Sequence, residues 1–380
     1  MVRMCLIQPA PVGVTETFIA SHIARLSGVV GVICLGGPEP TLNGRSLIKG
    51  SLFSRGLRHA RRRLLGESWE FAVYRGIARG LKSLRADVAL AEYGTTGVMV
   101  WKPCVQQGVP LVVHFHGYDA SKNEVIQRLA IPYQQMFEHA AAVIGVSAAM
   151  CEQLIRLGCP QSKLIYSPYG VDIDQFTGRG AARSEAKFVA VGRFVEKKAP
   201  YLTIVAFAKV AKHRQDASLV FIGDGPLLPM CKDLAGALGV DSRIRFLGSQ
   251  AHDVVAREMA DSCAFVQHSI TASSGDSEGT PLAVLEAAAS GLPVVATRHA
   301  GIMDVVVHER TGFLVDERDV AGMAKYMGAV LDCPMLAREM GAAGRLRVED
   351  RFTMGGSISR LESILAAAAG GRPFASLGMS

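Results

Sequence analysis

The sequence predicts an α/β protein in which two Rossmann-like domains, each built on a parallel sheet, face each other across a cleft. Short β-branched runs alternate with segments of helical apolar spacing, which is the pattern of βαβ units. The 380 residues suit two domains of ordinary size. A stretch rich in Gly, Pro and polar residues, 167–188, separates the two series of runs.

Eleven short apolar runs are predicted to form strands. Those in the first half are MCLIQ, VVGVICLGG, DVALAEY, PLVVHFHG and AAVIGVS. Those in the second half are KFVAVGRF, SLVFIGDGP, RIRFLGS, CAFVQHS, LPVVATR and TGFLV. Segments between them, such as PYLTIVAFAKVAKHR, have the apolar spacing of helices. Because open parallel sheets bind ligands at the carboxyl ends of their strands, we expect a site shared by both domains.

The predicted boundary between the domains lies inside the polar stretch. Residues 1–168 form the N-terminal domain and residues 169–354 form the C-terminal domain. The segment SISRLESILAAAA predicts one more helix, at about 355–370, which we expect to pack back on the N-terminal domain.

The composition is that of a folded chain, with 49% hydrophobic and 20% charged residues. No run of about 18 apolar residues occurs, so no membrane-spanning helix is predicted. The apolar part of the opening MVRMCLIQPAPVG is too short for a secretory signal and predicts a first strand. The eight cysteines lack metal-binding spacing, which favours free buried thiols in a reducing cytoplasm.

A basic segment, 55–85, contains nine Lys or Arg and two Glu, an excess equal to the net charge of +7 of the whole chain. Apolar and aromatic residues such as Trp69, Phe71 and Tyr74 lie among these charges. This pattern is typical of docking on an anionic membrane surface, and a solvated helical face explains it equally well. Nucleic-acid binding is disfavoured, because no recognition helix or RNA-binding motif accompanies the charge.

The stretch GDSEGTPLAVLEAAASGLPVV predicts a short helix preceded by an acidic loop. Thr280 is the predicted N-cap and Pro281 the first helical residue. Glu278 then lies in the loop, and Glu286 lies about 1.5 turns into the helix. Two carboxylates beside a helix N-terminus suit a ligand that carries both hydroxyl groups and phosphate. An ordinary helix with a solvated Glu286 is the alternative.

A second motif places cations at the end of a strand. In AVGRFVEKKAP, Arg193 follows the strand, and Lys197 and Lys198 follow four and five residues later. A guanidinium binds phosphate oxygens in a bidentate manner and an ammonium adds a mobile charge, so a diphosphate clamp is plausible here. A turn with solvated charges is the alternative. The loop GDGP, 223–226, lets backbone approach a ligand but lacks the spacing of a dinucleotide site.

A third motif, VVHFHGYDAS, places His114, His116 and Asp119 at the end of an apolar strand of the first half. Strand alternation directs both histidines to the same face. His116, followed by the slim Gly117, suits a side chain that projects into a cleft, although a structural histidine is the alternative. No third ligand lies at metal spacing in the sequence, so no metal site is predicted.

Together these motifs resemble the retaining family 4 glycosyltransferases of the GT-B fold. The two glutamates that this family separates by seven residues correspond to EGTPLAVLE, and its GR-x-x-x-x-K element corresponds to GRFVEKK. GDGPL, FLG, GLPVVAT and TGFLV follow the family pattern in order, while HFHGYD, VIGVS and YGVDIDQF match more loosely. TETFIASHIARL and GDSEGTP are similar to a subgroup that builds bacterial exopolysaccharides of the colanic-acid type.

The resemblance implies how a nucleotide-sugar donor is bound in the C-terminal domain. Arg193 and Lys198 would hold the donor diphosphate, and the backbone of Gly279 and Thr280 would face the phosphate or the sugar. Glu286 would bind the ribose hydroxyls. Three positions depart from the family pattern: Ala199 replaces a usual glycine, Tyr169 a usual asparagine and His268 a usual proline. Ala199 concerns how closely the backbone of the diphosphate clamp approaches the donor, and Tyr169 and His268 concern donor selectivity.

The resemblance also implies the catalytic residues and the reaction. Glu278 would meet the transferred sugar, and His116 would contact its outer hydroxyl at the reaction centre. No metal or other cofactor is expected, because Arg193, Lys198 and the helix N-terminus can stabilise the leaving diphosphate. The N-terminal domain would bind a saccharide acceptor, which we expect to be lipid-linked.

The sequence therefore predicts a retaining hexosyltransferase that uses a UDP-sugar or GDP-mannose in bacterial surface or exopolysaccharide synthesis. We expect it in the cytoplasm, peripheral to the inner face of the cell membrane. Two alternatives remain open: a non-catalytic nucleotide-sugar-binding component of a polysaccharide assembly, and an epimerase or phosphorylase of the same fold. Nucleotide base, sugar and acceptor are not encoded in a pattern that the sequence alone reveals.

Overall fold

The structure is a computed structural model that describes residues 1–11, 17–37, 39–48, 69–177 and 184–374. It contains two separate sheets with helices packed around them, so the prediction of an α/β fold with two parallel-sheet domains is confirmed. All eleven apolar runs form strands. Among the described helices, none is both long and apolar enough to cross a bilayer.

The first sheet has eight strands in the order β4-β3-β2-β1-β5-β6-β7-β8. Their bounds are β1 Met4–Gln8, β2 Val29–Cys34, β3 Thr41–Leu42, β4 Arg45–Ser46, β5 Val88–Glu92, β6 Leu111–Phe115, β7 Ala142–Gly145 and β8 Leu164–Tyr166. All neighbours pair in parallel except β2–β3 and β3–β4, which are antiparallel. The sequence did not predict β3, β4 and β8; β3 and β4 are only two residues long, which is too few to form a pattern.

The second sheet has six parallel strands in the order β11-β10-β9-β12-β13-β14. Their bounds are β9 Lys187–Val191, β10 Ser218–Ile222, β11 Ile244–Phe246, β12 Ala264–Gln267, β13 Val294–Thr297 and β14 Gly312–Val315. Most central strands are buried along their whole length, because helices cover both faces of each sheet, and this explains why their sequences are continuous apolar runs.

The helices of the first half are α1 Thr17–Arg25, α2 Trp69–Leu84, α3 Gly94–Gln107, α4 Tyr118–Ser121, α5 Asn123–His139 and α6 Ala148–Arg156. Those of the second half are α7 Pro200–Ala211, α8 Leu228–Ala237, α9 His252–Ala260, α10 Leu282–Ala289, α11 Ile302–Val305, α12 Val320–Asp332, α13 Pro334–Arg351 and α14 Met354–Ala369. The part 55–68 of the basic segment lies outside the described residues.

The last helix, α14, packs on the first sheet rather than on the second. Its Leu361 and Ile364 share a hydrophobic cluster with Leu6 and Leu90 of strands β1 and β5. We call the first sheet with its helices and α14 the N-terminal lobe, and the second sheet with its helices the C-terminal lobe. The chain therefore crosses between the lobes twice.

The two crossings run side by side. The Val171 amide on the first crossing donates to the Phe352 carbonyl on the second over 2.8 Å, and the Met354 amide donates back to the Val171 carbonyl over 2.9 Å. The carboxyl ends of β6, β9 and β10 lead into residues that line the space between the lobes. This placement brings the predicted functional side chains into one region.

The eight cysteines are all free thiols, as predicted. Cys5, Cys104, Cys159 and Cys231 are buried, and burial raises the pKa of each of these thiols above its ordinary value. The expectation of burial is wrong for Cys333, which is exposed at the junction between α12 and α13, where the chain turns at the surface.

Candidate active site

A cleft of about 560 Å³ separates the two lobes. Seven residues predicted from the sequence to form the site all line it: His116, Arg193, Lys198, Glu278, Gly279, Thr280 and Glu286. Of these, His116 comes from the N-terminal lobe and the others come from the C-terminal lobe. The fold thus gathers two cations and two carboxylates around a single concavity, and the roles assigned to them remain predictions.

Gly279 lies at a close contact between the two lobes. A Cβ atom added at Gly279 would collide with the carbonyl oxygen of His116, which belongs to the other lobe. Glycine is therefore required for a contact between backbones, rather than for an unusual backbone conformation. The contact places the peptide between Glu278 and Gly279 directly against the loop that carries His116.

Thr280 does not cap the helix as predicted. Helix α10 begins at Leu282, and its N-cap is Pro281, so the helix starts one residue later than the Thr280 cap requires. The Thr280 hydroxyl instead donates a short hydrogen bond to the Val146 carbonyl of the N-terminal lobe and accepts one from the Tyr169 amide over 3.4 Å. The competing bond across the lobes, which the local sequence cannot reveal, explains the wrong prediction.

The cationic side of the cleft follows strand β9. Arg193 is exposed, and its guanidinium makes no hydrogen bond or ion pair within the described part of the chain. Gly223, which follows the neighbouring strand β10, packs against the end of β9: its φ of +136° favours glycine, and an added Cβ would collide with the Gly192 carbonyl. The short loop thus leaves Arg193 free to meet an anion at the strand end.

The two adjacent lysines have different contacts. Lys197 Nζ binds the Asp276 carboxylate and the Ser277 carbonyl, each over 3.0 Å, and so fixes the loop in front of Glu278. Lys198 Nζ lies 3.1 Å from Glu278 Oε1. Ala199, which replaces the usual glycine of the family, has a φ of +34° in the left-handed region and ends the short 3₁₀ turn that presents both lysines.

Glu278 is the buried acid at the centre of the cleft. Its Oε1 faces Lys198, and the Ser269 hydroxyl donates to the same oxygen over 3.4 Å. Burial acts to raise the pKa of Glu278, but the positive charges of Lys198 and Lys197 outweigh it, so the pKa lies below its ordinary value. Glu278 is therefore ionised at neutral pH and can face a developing positive charge.

A histidine that the sequence analysis missed fixes the backbone of Glu278. The buried His299 accepts a hydrogen bond at Nε2 from the Glu278 amide over 3.2 Å, and its Nδ1 lies 2.6 Å from Glu317 Oε1. Glu317 also accepts from the amide and hydroxyl of Thr271. His299 and Glu317 lie far along the chain from Glu278 and belong to no predicted motif, so the sequence offered no signal for them.

Glu286 lies on the first helical turns of α10, between the cleft and a second cavity. That cavity has a volume of about 210 Å³ and lies beside the two crossings. Burial raises the pKa of Glu286 to about 7, and the charge of Lys198 opposes this rise. His252 Nδ1 lies 3.8 Å from Glu286 Oε1. The carboxyl group is thus poised to change its charge near neutral pH.

His116 lines the cleft with a side chain that is almost completely buried, and both of its ring nitrogens are engaged. Nε2 lies 2.8 Å from Glu92 Oε2, and Nδ1 forms a short hydrogen bond with the Tyr169 hydroxyl. The His116 ring packs against the Phe18 ring, with 4.4 Å between the two ring centroids, and makes a T-shaped contact with the Tyr93 ring. To contact a sugar hydroxyl as predicted, His116 must exchange one of these partners.

Two residues beside His116 also escaped the sequence analysis. Glu92 ends strand β5 and His22 lies on α1, and the Glu92 carboxylate lies within hydrogen-bond distance of both His22 and His116. The sequence analysis found no third metal ligand at a suitable spacing, whereas the fold brings His22 and Glu92, which are distant in sequence, close to His114. Among the described residues, His22, Glu92 and His114 form the one group whose ligand atoms lie close enough together, within 4.8 Å, to hold a metal ion.

His268 is not among the residues that line the cleft, and its predicted part in donor selectivity stays a prediction. Its side chain is fully buried, and its Nε2 accepts a hydrogen bond from the Arg318 amide over 2.8 Å. It therefore ties strand β12 to the loop before α12. Tyr169, by contrast, lines the cleft through its contact with His116.

Comparison with known proteins relates both lobes to glycosyltransferases. Residues 15–175 match the family described as Glycosyltransferase Family 4, and residues 173–347 match the family described as Glycosyl transferases group 1. The chain is 31% identical over 290 residues to the colanic acid biosynthesis glycosyltransferase WcaL of Escherichia coli K12, covering 74% of this chain and 71% of WcaL. It is 27% identical over 294 residues to the amylovoran biosynthesis glycosyltransferase AmsK of Erwinia amylovora, covering 76% and 72% of the two chains.

The fold also resembles solved structures. The crystal structure of HepE from Anabaena in complex with UDP superposes with a TM-score of 0.77 at 16% sequence identity, covering 96% of this chain and all of HepE. At this level of identity the likeness establishes the fold, with two facing Rossmann-like lobes.

Proposed function

Because the chain belongs to the family 4 glycosyltransferases, we propose that it transfers a hexose, with retention of anomeric configuration, from a nucleotide diphosphate sugar to a lipid-linked saccharide. The transfer serves the synthesis of a bacterial surface polysaccharide or exopolysaccharide. The observation that carries this proposal is the convergence of Arg193, Lys198, Glu278 and Glu286 on one cleft between the lobes. The exopolysaccharide role is supported by the names of WcaL and AmsK.

The charges in the cleft suit the breaking of a sugar–diphosphate bond. Negative charge develops on the leaving diphosphate, where Arg193, Lys198 and the exposed amides at the start of α10 stabilise it. Positive charge develops on the sugar ring, where the ionised Glu278 stabilises it. Because the chain's own cations face the diphosphate, no metal or other cofactor is required, and the leaving phosphate itself can accept the proton of the acceptor hydroxyl.

A donor panel tests this proposal. Purified protein is mixed with UDP-sugars and GDP-mannose, with and without lipid-linked saccharide acceptors, and the release of nucleoside diphosphate is followed. We expect release from one donor that depends on acceptor and persists in EDTA, and a product of retained configuration by NMR. Formation of sugar phosphate from inorganic phosphate would identify a phosphorylase. A change in the donor without any acceptor would identify an epimerase, and donor binding without turnover would identify a non-catalytic component. Each of these three results would contradict the proposal.

The raised pKa of Glu286 predicts how donor binding depends on pH. Ribose hydroxyls donate to a carboxylate, so binding favours the ionised form and lowers the pKa of Glu286 in the complex below about 7. The affinity for nucleoside diphosphate should therefore rise between pH 6 and pH 8, and calorimetry measures it. Because the diphosphate also titrates, Glu286→Gln serves as the reference, and we expect it to bind weakly with a smaller dependence on pH. An equal pH dependence in both proteins would contradict the role of Glu286.

We also propose that the protein docks from the cytoplasm on the anionic inner face of the cell membrane through α2 and the adjoining basic residues. Trp69 and Phe71, at the start of α2, are 44% and 48% exposed, and Arg75 stacks on the Phe71 ring with 5.8 Å from Cζ to the ring centroid. Lys82 is exposed on the same helix. Exposed aromatic rings flanked by cations suit the interface between lipid headgroups and acyl chains.

Liposome sedimentation tests the membrane proposal. The protein should bind vesicles that contain anionic lipid at low salt and dissociate at high salt. The double variant Arg75→Gln, Lys82→Gln should bind about 30-fold more weakly, because each basic residue near such a surface contributes about 1 kcal/mol. Trp69→Ser serves as a charge-matched variant that should weaken binding without changing its salt dependence. Equal binding to neutral vesicles would contradict the proposal.

A further inference from the structure

A single carboxylate buried in the N-terminal lobe is surrounded by three imidazole rings. Glu92 is fully buried at the end of β5. Its Oε1 lies 2.7 Å from His22 Nδ1, and its Oε2 lies 2.8 Å from His116 Nε2 and 3.7 Å from His114 Nδ1. Only His116 of the three histidines lines the cleft. The nucleotide-sugar proposal uses His116 but leaves the others unexplained.

The contacts fix which ring nitrogen of His116 carries hydrogen. An ionised carboxylate can only accept hydrogen bonds, so His116 Nε2 must be the N–H that points to Glu92. In the neutral ring Nδ1 then carries a lone pair, and the Tyr169 hydroxyl donates to it. His22 likewise donates to the second oxygen of Glu92 through its Nδ1. The carboxylate therefore satisfies two imidazole donors with its two oxygens.

The surroundings of Glu92 favour the ionised form on which this assignment depends. Burial opposes ionisation, but the charge of His22 and the hydrogen bonds from His116 and His22 outweigh it and hold the pKa of Glu92 well below its ordinary value. His114 differs from the other two rings, because burial lowers its pKa well below the ordinary value and leaves it neutral. Within the described residues, neither ring nitrogen of His114 has a hydrogen-bond partner.

We propose that Glu92 is the positioning residue of His116, holding it as the Nε2–H tautomer with its Nδ1 lone pair directed toward Tyr169 and the cleft. When a hydroxyl group of the substrate replaces the Tyr169 hydroxyl at Nδ1, His116 offers it a hydrogen-bond acceptor, not a donor. Glu92 acts only through His116, since it is fully buried and does not line the cleft. The inference rests on the proposed part of His116 in sugar transfer.

The backbone of His116 is fixed separately from its ring, which makes the effect of Glu92 distinguishable. The buried Asp119 accepts from the amides of His116 and Gly117 over 3.1 Å and 2.8 Å, and from the Gly94 amide over 2.8 Å. Loss of Glu92 therefore removes the constraint on the tautomer and orientation of the ring while the loop keeps its own anchor.

The substitution Glu92→Leu tests the proposal, because leucine fills a similar volume on a buried strand and accepts no hydrogen bond. We expect kcat to fall about 10- to 100-fold, the range for a hydrogen bond to a charged group, with the donor KM within about twofold. The control is Glu309→Gln, at an exposed position outside the cleft lining. It should keep kcat within about threefold of wild type.

A second measurement reads the tautomer in the wild-type protein and does not depend on the folding of Glu92→Leu. The ¹⁵N chemical shifts of histidine-labelled wild-type protein report the tautomer of each ring, and the His116 signals are assigned by their loss in His116→Phe. We expect Nε2–H for His116 in wild type and a mixed tautomer in Glu92→Leu. The proposal would be overturned by an Nδ1–H tautomer in wild type or by an unchanged kcat in folded Glu92→Leu. Stoichiometric zinc in the purified protein would also overturn it, because His22, Glu92 and His114 would then be metal ligands instead of hydrogen-bond partners.

The same assay separates this inference from the proposed function. If His116→Phe keeps full activity, the part of His116 in the transfer is wrong, whereas the wild-type tautomer still tests its contact with Glu92. If wild type releases no nucleoside diphosphate from any donor, the proposed function fails, and the NMR result stands independently.

Discussion

Glutamine in place of Glu278 is expected to lower kcat by about 10²- to 10³-fold, with little change in the donor KM. In the proposed mechanism the carboxylate faces the sugar ring, and Lys198 and Lys197 keep it ionised. Glutamine keeps the shape of the side chain and its contact with the Ser269 hydroxyl but loses the negative charge that stabilises the transition state. The loss should therefore fall on the chemical step, and steady-state kinetics with the donor identified by the panel measure it.

The control for this experiment is Glu309→Gln, since the Glu309 side chain is 69% exposed and lies outside the cleft lining. It should keep wild-type kinetics. Far-ultraviolet circular dichroism establishes that Glu278→Gln is folded. A folded Glu278→Gln protein with wild-type kcat would mean that Glu278 has no electrostatic part in the reaction.

Methionine in place of Lys198 is the second substitution with a large expected effect, and it should damage both activity and stability. Activity falls because the leaving diphosphate loses a cation, which we expect to lower kcat/KM by about 10²- to 10³-fold. Stability falls because Glu278 stays buried without its partner, 3.1 Å away in the wild type. Breaking a buried ion pair at one side costs about 3 kcal/mol or more.

The double variant Lys198→Met, Glu278→Gln separates the two effects. Removing both charges removes the unpaired buried carboxylate, so the midpoint of thermal unfolding should recover toward the wild-type value while activity stays lost. The control Lys197→Met should instead loosen the loop that carries Asp276 and Ser277. If the double variant is no more stable than Lys198→Met alone, the ion pair between Lys198 and Glu278 does not contribute to stability.

The strands and the cleft were predictable because their signals are local. A strand buried on both faces reads as one continuous apolar run, and the residues that follow it in sequence also follow it in space. Arg193, Lys198 and Glu278 could therefore be assigned to strand ends or to a helix start before the structure was known. The antiparallel strands β3 and β4 are only two residues long and carry no such signal.

The supporting residues could not be predicted because their partners are distant in sequence. Glu92 is 24 residues from His116 and 70 residues from His22, and each is a single side chain without a motif. The prediction that Thr280 caps the helix failed for the same reason, because the Thr280 hydroxyl donates to the carbonyl of Val146, 134 residues away. Local preference favoured a cap, and contact with the other lobe overrode it.

The paired crossings at Val171 and Phe352 form a hinge between the two lobes. Because both covalent links between the lobes run along one line and are hydrogen-bonded to each other, the freedom that remains is rotation about that line, whereas sliding or twisting would break those bonds. Glu286 and Tyr169 line the cavity beside this axis, so they would move little if the lobes rotated about it. Because displacement grows with distance from this axis, opening of the lobes would widen the outer part of the cleft more than the surroundings of Glu286.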